Sequence, residues 1–299
     1  MQITNLHNLP DAIVRAVQND PYDKGEGDYS VSDLVNPVRA VHLIRRHDSE
    51  LTEDAADRIW SLLGQLGHLL LERAGNDNAL EEERLYMIVD TAAGSRIIGS
   101  KADVYHGSGL LQDFKVTSAW TIVFKSRVQE WEDNLNLRAL VLDINGWKVN
   151  KLEIVAVYRD WSRTQALRSA EYPQVPVQVI PLRIWPEETA TALLNSRVSL
   201  LTQHESTPDA ELPECTEAEM WEKPTKYAAM KTGRKSAVRV LDSEGDALAV
   251  VADGKATHVE VRPGARVRCE SYCAAAPVCN QWQEWKPAEQ SFGDKEEVE

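Results

Sequence analysis

The chain has 299 residues, 43% hydrophobic and 27% charged, with a net charge of −14. This is globular composition, neither collagen-like nor low-complexity. No apolar run reaches 18 residues, so no membrane-spanning helix is expected, and the overall charge argues against a protein that coats nucleic acid. The acid is concentrated, however. Residues 205–222 carry seven acids and no Lys or Arg, and 287–299 carry five acids and one Lys, whereas 223–239 hold six basic residues and no acid. A local basic face is therefore compatible with the global balance.

Residues 1–10 lack a basic start followed by an apolar core, so no secretory leader is expected, and the four cysteines are assigned to a reducing, cytoplasmic compartment. Residues 30–47 read as a helix with Ser30 or Ser32 as cap and Arg45 and Arg46 at its end. Residues 52–74 read as a second helix: Thr52 as cap, Glu53 and Asp54 in the first turn, and Ile59, Leu62, Leu63, Leu66, Leu69 and Leu70 at helical spacing. Strand-like runs follow at 85–90, 96–105 and 110–117, the last two joined by a turn at His106-Gly-Ser-Gly109. A helix over 127–144 ends at Asn145-Gly146. Strands at 148–158 and 175–185 come next, then a helix from 189 to about 203. The acidic stretch 204–219, with Pro208 and Pro213, reads as a linker or exposed loop. The order implies an α/β core with one helix crossing between strands.

The chemistry concentrates between Gly99 and Lys115. Residues two apart on a strand share a face, so Asp113 and Lys115 project together, and the hairpin can bring Asp103 beside them. Two carboxylates on one face attract Mg²⁺ or Mn²⁺, and a nearby Lys can orient a water or stabilise charge on a phosphate oxygen. Read alone, D-x-K is also the pattern of a solvated polar pair. Here Leu110, Leu111 and Phe114 surround it, and a buried carboxylate is costly unless it is paired or metal-bound. Upstream, Gly64, His68 and Glu72 are spaced by four and share one helix face.

The set Gly64-x3-His68-x3-Glu72, Gly99-x3-Asp103 and Asp113-x-Lys115 in an α-β-β-β-α-β frame resembles the PD-(D/E)XK nuclease superfamily. The helical His points to its RecB-like branch, and the similarity is to phage-encoded relatives of the CRISPR-associated RecB-like exonucleases. The resemblance implies a restriction-endonuclease-like core, a mixed central sheet flanked by helices, over 1–203; the sequence itself reads as a small C-terminal unit over 204–286 with all four cysteines and a disordered acidic tail over 287–299. It implies a metal-dependent DNA exonuclease acting in phage or bacterial recombination or replication. His68, Asp103, Asp113 and the carbonyl of Phe114 would bind Mg²⁺ or Mn²⁺, Lys115 would assist the attacking water, and Glu72 would bind through water or hold the helix. The family carries a Gln and a Tyr on the helix after the site. Asn134 and Arg138 occupy those positions, or Gln129 takes the Gln role in a shifted register, and these are the expected DNA contacts. A phage single-strand annealing protein is the partner class implied. A non-catalytic DNA-end or partner-binding module on the same fold is the alternative.

Cys269, Cys273 and Cys279 lie within eleven residues, and Cys215 is far upstream. Four thiolates fit a [4Fe–4S] cluster or Zn²⁺, and plain burial of small side chains is the other reading. The resemblance favours the cluster. Lys231, Arg234 and Lys235, in a basic run with Trp221 and Tyr227 interleaved, are candidate phosphate contacts, against the plainer reading of a solvated helix face. No Gly-rich phosphate loop of the Walker type is present.

Overall fold

A computed structural model describes residues 1–20, 25–65, 79–81 and 83–285. His68 and Glu72 lie outside the described residues, as does the tail beyond 285. Two compact units divide the chain: the first comprises 1–42 and 48–207, the second 43–47 together with the chain from 208 onward.

The first unit is mixed α/β. Its larger sheet has five strands in the order Val177–Leu182, Lys151–Tyr158, Leu110–Thr117, Val104–His106 and Ala79–Glu81. Strands 110–117 and 151–158 are parallel, and the other pairs are antiparallel. Helix Val128–Ile144 makes the crossover between the parallel pair. A separate three-stranded sheet runs Tyr29–Ser30, Gly94–Lys101, Arg84–Thr91.

Helix 128–144 is apolar over most of its surface because it serves two cores. Leu137, Leu140 and Val141 pack with Met87, Val89 and Ile98 of the three-stranded sheet and with Leu194 and Val198 of helix Glu187–Gln203. Trp131, Leu135, Ala139 and Leu142 pack with Leu111, Leu152, Ile154 and Ala156 of the larger sheet. Each fully buried large side chain contributes about 1.5–3 kcal/mol, so this helix fixes both sheets at once. It stops at Gly146, whose φ of +88° suits glycine, with Trp147 N–H donating to the Leu142 carbonyl at 2.9 Å.

Three sequence expectations are corrected. The helix over 30–47 is two helices, Val31–Leu34 and Val38–Arg46, because Pro37 disfavours the helical conformation at Asn36. Ser30 caps the first in a reciprocal box with Asp33. Thr52–Asp54, assigned to a helix start, form a parallel strand pair with Gln2–Thr4. Asp54 accepts the N–H groups of Leu6 and Ala56, which hold its carboxyl below the usual range. Residues 59–65 are helical, and the expected continuation to 74 lies outside the described residues. The strand expected over 96–105 is two strands in two different sheets, divided at Ala102 and Asp103.

The second unit holds an antiparallel sheet, Arg239–Leu241, Lys226–Met230, His258–Arg262, with helix Glu244–Ala252 in its connection. Its core gathers Leu43, Leu212, Ala275 and Cys279, with Ile44, Cys273, Val278 and Trp282 against them. The acidic stretch is not a plain linker. It contains a 3-10 turn at Asp209–Glu211 and a capped helix Glu217–Met220. Asp209 pairs with Arg46 at 2.6 Å and His47 at 2.7 Å, and Leu212 is buried.

Candidate metal centre

On strand 110–117 alternate residues 111, 113, 115 and 117 share one face, buried at Leu111, Asp113 and Thr117 and opening to the surface at Lys115. That alternation places Asp113 in the interior, fully buried. Neither carboxylate oxygen accepts a hydrogen bond. Its company is cationic: the Lys115 ammonium lies against Oδ2 as an ion contact, and Arg138 Nη1 stands 3.6 Å from Oδ1.

Asp103 reaches the same place by a different route. It sits where the chain leaves strand 94–101 for strand 104–106. Strand 104–106 pairs with residues 110–112 of strand 110–117 and no further along it. Phe114 N–H, beyond that pairing, donates to Asp103 Oδ2 at 2.9 Å. The carboxylate thus replaces a strand that has ended. Its other oxygen faces Arg138 Nη1, also at 3.6 Å.

Arg138 therefore stands between the two acids. Its Nε donates to Asn134 Oδ1 at 2.7 Å, and Nη1 reaches the carbonyl of Lys101. Asn134 and Arg138, one helical turn apart, line a cleft of about 280 Å³ with Lys115, Thr117, Arg127, Glu130 and Trp131. Ser32 and Asn36 also line it. Its three bases are paired, Lys115 with Asp113, Arg138 with Asp103 and Asp113, and Arg127 with Glu130, so the charge around the cleft is balanced.

The fold thus brings Asp103, Asp113, Lys115, Asn134 and Arg138 together. Gln129 is exposed and gives its amide to Asp133 at 2.6 Å. Burial, opposed by that hydrogen bond, pushes the Asp133 carboxyl up. Phe114 contributes its N–H to Asp103. Arg127, Glu130 and Asn36 are not among the residues named from the sequence, and Ser32 is named there only as a candidate helix cap. Arg127, Trp131, Asn134 and Arg138 recur at helical spacing, so the helix-face rule applied backward from Asn134 reaches Arg127 and Glu130; nothing in the local pattern points to Ser32 or Asn36.

Among the described residues, no three His, Cys, Asp or Glu side chains converge on a single ion position. The two carboxylates still suit a divalent cation. Asp113 is a buried anion whose oxygens lack hydrogen bonds, and Asp103 is pinned beside it, which is a donor set of hard oxygens.

In the second unit, Cys279 is buried and Cys215, Cys269 and Cys273 are half-buried. Gln281 holds the Cys215 backbone by two bonds, accepting its N–H at 2.8 Å and donating to its carbonyl at 2.9 Å. Burial, then Glu219, then Cys279, Cys273 and Cys269, push the Cys215 thiol up to about 12. Burial and the neighbouring Cys273 and Cys279 push Cys269 to about 11, and burial raises Cys273. Cys273 and Cys279 meet in the apolar cluster of this unit. Lys231, Arg234 and Lys235 are exposed on the turn after strand 226–230, which replaces the solvated helix considered for this run. Trp221 packs on Tyr272 with Arg268 over its ring.

No family model matches the chain, and no curated protein matches it. One solved structure, the crystal structure of SSO0001, is similar over 63% of this chain and 83% of its own, at 16% identity and a TM-score of 0.43. That likeness carries no argument about activity. Among the described residues, no helix is long and apolar enough to cross a membrane.

Proposed function

We propose that the chain is a Mg²⁺- or Mn²⁺-dependent deoxyribonuclease of the PD-(D/E)XK type, acting on DNA ends. One observation carries the reading: Asp113 is a fully buried carboxylate without a hydrogen bond, with Asp103 across the hairpin and Lys115 two residues along the same strand face. The partners of Asp113 are the two cations Lys115 and Arg138, and a buried carboxylate held by exchangeable cations beside a second acid is a ready ligand for a divalent ion. Asp103, Asp113 and the Phe114 carbonyl would hold the ion, with His68 as the further ligand implied by the resemblance. When bound, the ion supplies Lewis acidity at a phosphate oxygen and acidifies a water.

The chain's own groups do the rest. Phe114 N–H fixes Asp103 so that its second oxygen is aimed inward. Lys115, half-exposed on the cleft, can hold the attacking water and meet charge on the phosphate. Arg127 and Asn134 line the cleft where the backbone of the DNA would lie. The four cysteines would carry a [4Fe–4S] cluster, with Zn²⁺ as the other candidate, and would couple metal binding to folding of the second unit. Lys231, Arg234 and Lys235 are proposed phosphate contacts, and an annealing protein encoded with the nuclease is the proposed partner.

The test is end-labelled linear DNA with and without Mn²⁺, using the native protein beside Lys115→Ala. Metal-dependent loss of label that disappears in the variant supports the nuclease. Equal degradation by both proteins sinks the assignment of Lys115. Cutting of closed circular DNA would make it an endonuclease. A binding module on the same fold is favoured by one observation, the Arg138 guanidinium standing between the two acids. It expects DNA retained and never cleaved.

A further inference from the structure

We infer that Arg138 is a built-in counter-cation for the metal site, and that loading with a divalent ion is an exchange in which the ion displaces the guanidinium from the two carboxylates. The inference rests on the metal-site reading of Asp103 and Asp113 and goes beyond it, because it assigns Arg138 an action before any substrate is present.

The geometry sets the terms. One guanidinium nitrogen is equidistant, at 3.6 Å, from Oδ1 of Asp103 and Oδ1 of Asp113. That separation is an ion pair and too long for a hydrogen bond. Arg138 thus neutralises the acids without capping their lone pairs, and the Asp113 oxygens stay without hydrogen bonds. Its shorter contacts go elsewhere, through Nε to Asn134 and through Nη1 to the Lys101 carbonyl. The Nε tether lies within the helix and can persist when the carboxylates take another cation, whereas Nη1 leaves the Lys101 carbonyl together with the two acids. A divalent ion between the acids repels the guanidinium at once, and like charges a few ångströms apart in a poorly solvated site interact strongly. The group lines the cleft, so the displaced guanidinium turns toward the place where the phosphate is proposed to lie.

Two consequences follow with opposite signs. Without metal, Arg138 stabilises the first unit by pairing buried acids. With metal, it weakens ion binding, because its hold on the acids must be given up. A residue that served only as a DNA contact would do neither.

The test uses the metal-free full chain and Mn²⁺, with no nucleic acid. Mn²⁺ affinity is measured by titration calorimetry, and thermal midpoints are measured with and without saturating Mn²⁺, for the native protein, Arg138→Gln and Arg138→Lys. Arg138→Gln is expected to bind Mn²⁺ about tenfold more tightly, a factor set by the scale of charge interactions near a protein surface. Its metal-free midpoint should fall by several degrees, and Mn²⁺ should raise it by more than it raises the native midpoint. Arg138→Lys keeps the charge without the fork and should lie between the two, and it remains informative if the Gln variant does not fold. Asp113→Asn marks the site by losing the Mn²⁺ heat. Native binding lost in Asp113→Asn but unchanged or weaker in both Arg138 variants overturns the exchange and leaves the metal site standing. Absence of Mn²⁺ binding in every protein overturns both.

Discussion

The acidic site of the first unit and the thiol group of the second solve one problem in opposite ways. Each gathers groups that repel one another when ionised. At Asp103 and Asp113 the chain sets two cations, Lys115 and Arg138, against the carboxylates. Among the cysteines, burial first and repulsion between neighbours second raise Cys215 to about 12 and Cys269 to about 11, so that ionisation is withheld well above the ordinary thiol range. The comparison teaches that a protein can carry a latent ligand set either by internal neutralisation or by withheld ionisation. The first is governed by charge and the second by packing and proton release.

Substitutions should separate the two regimes, and the largest expected effect is at Asp113. Asp113→Asn keeps shape and removes one charge. Metal-dependent cleavage should fall by about a thousandfold, the scale of losing one preorganised electrostatic group. A variant retaining a tenth of native turnover would break the charge side of the comparison. Packing is probed next by Leu43→Ala, in the same apolar cluster as Cys273 and Cys279. Denaturant unfolding should show a loss of about 2–5 kcal/mol for a fully buried leucine. The neutral-thiol side is sharpened by pH. A folded-state value raised above 9 gives stability that is complete below about pH 9 and declines as pH rises toward 12. The metal-free native protein should thus lose thermal midpoint across that window faster than Cys215→Ala, and parallel curves would remove proton withholding as the explanation. Smallest is the acid limb at Asp209, whose carboxyl His47 and Arg46 hold below its usual value. Its contribution is present at neutral pH and is lost as pH falls through the lowered value. Asp209→Asn should flatten the midpoint slightly below pH 4, a modest effect because the pair is partly exposed.

Much of this was legible in the chain. Strand 110–117 and helix 128–144 fall at the expected places because period-two and period-3.6 patterns, a glycine turn and a glycine stop coincide there. The pairing of Asp113 with Lys115 followed from strand alternation alone. Other features were hidden for physical reasons. The run 96–105 has no proline and only one glycine, so nothing local marks its passage between sheets at Asp103; the break is made by tertiary partners. Thr52-Glu53-Asp54 has the composition of a helix start, yet the same carboxylate satisfies a loop's N–H groups equally well. Arg138 was seen as a position and not as an ion-pair centre, because the two acids it faces lie 35 and 25 residues away in sequence and only the folded sheet brings them together.

The placement of Leu43–His47 with the second unit has a consequence for synthesis. Asp209, Leu212 and Cys279, which cover or pair with these residues, are made 160 to 240 residues after them. At about 5–20 residues per second that is an interval on the order of ten to fifty seconds. Through that interval an apolar helix end, with Leu43 and Ile44, waits without its partners and is a natural target for holding chaperones. A product that ends at Thr207 lacks all of these partners, so it is marked for capture or degradation by the same residues that complete the finished molecule.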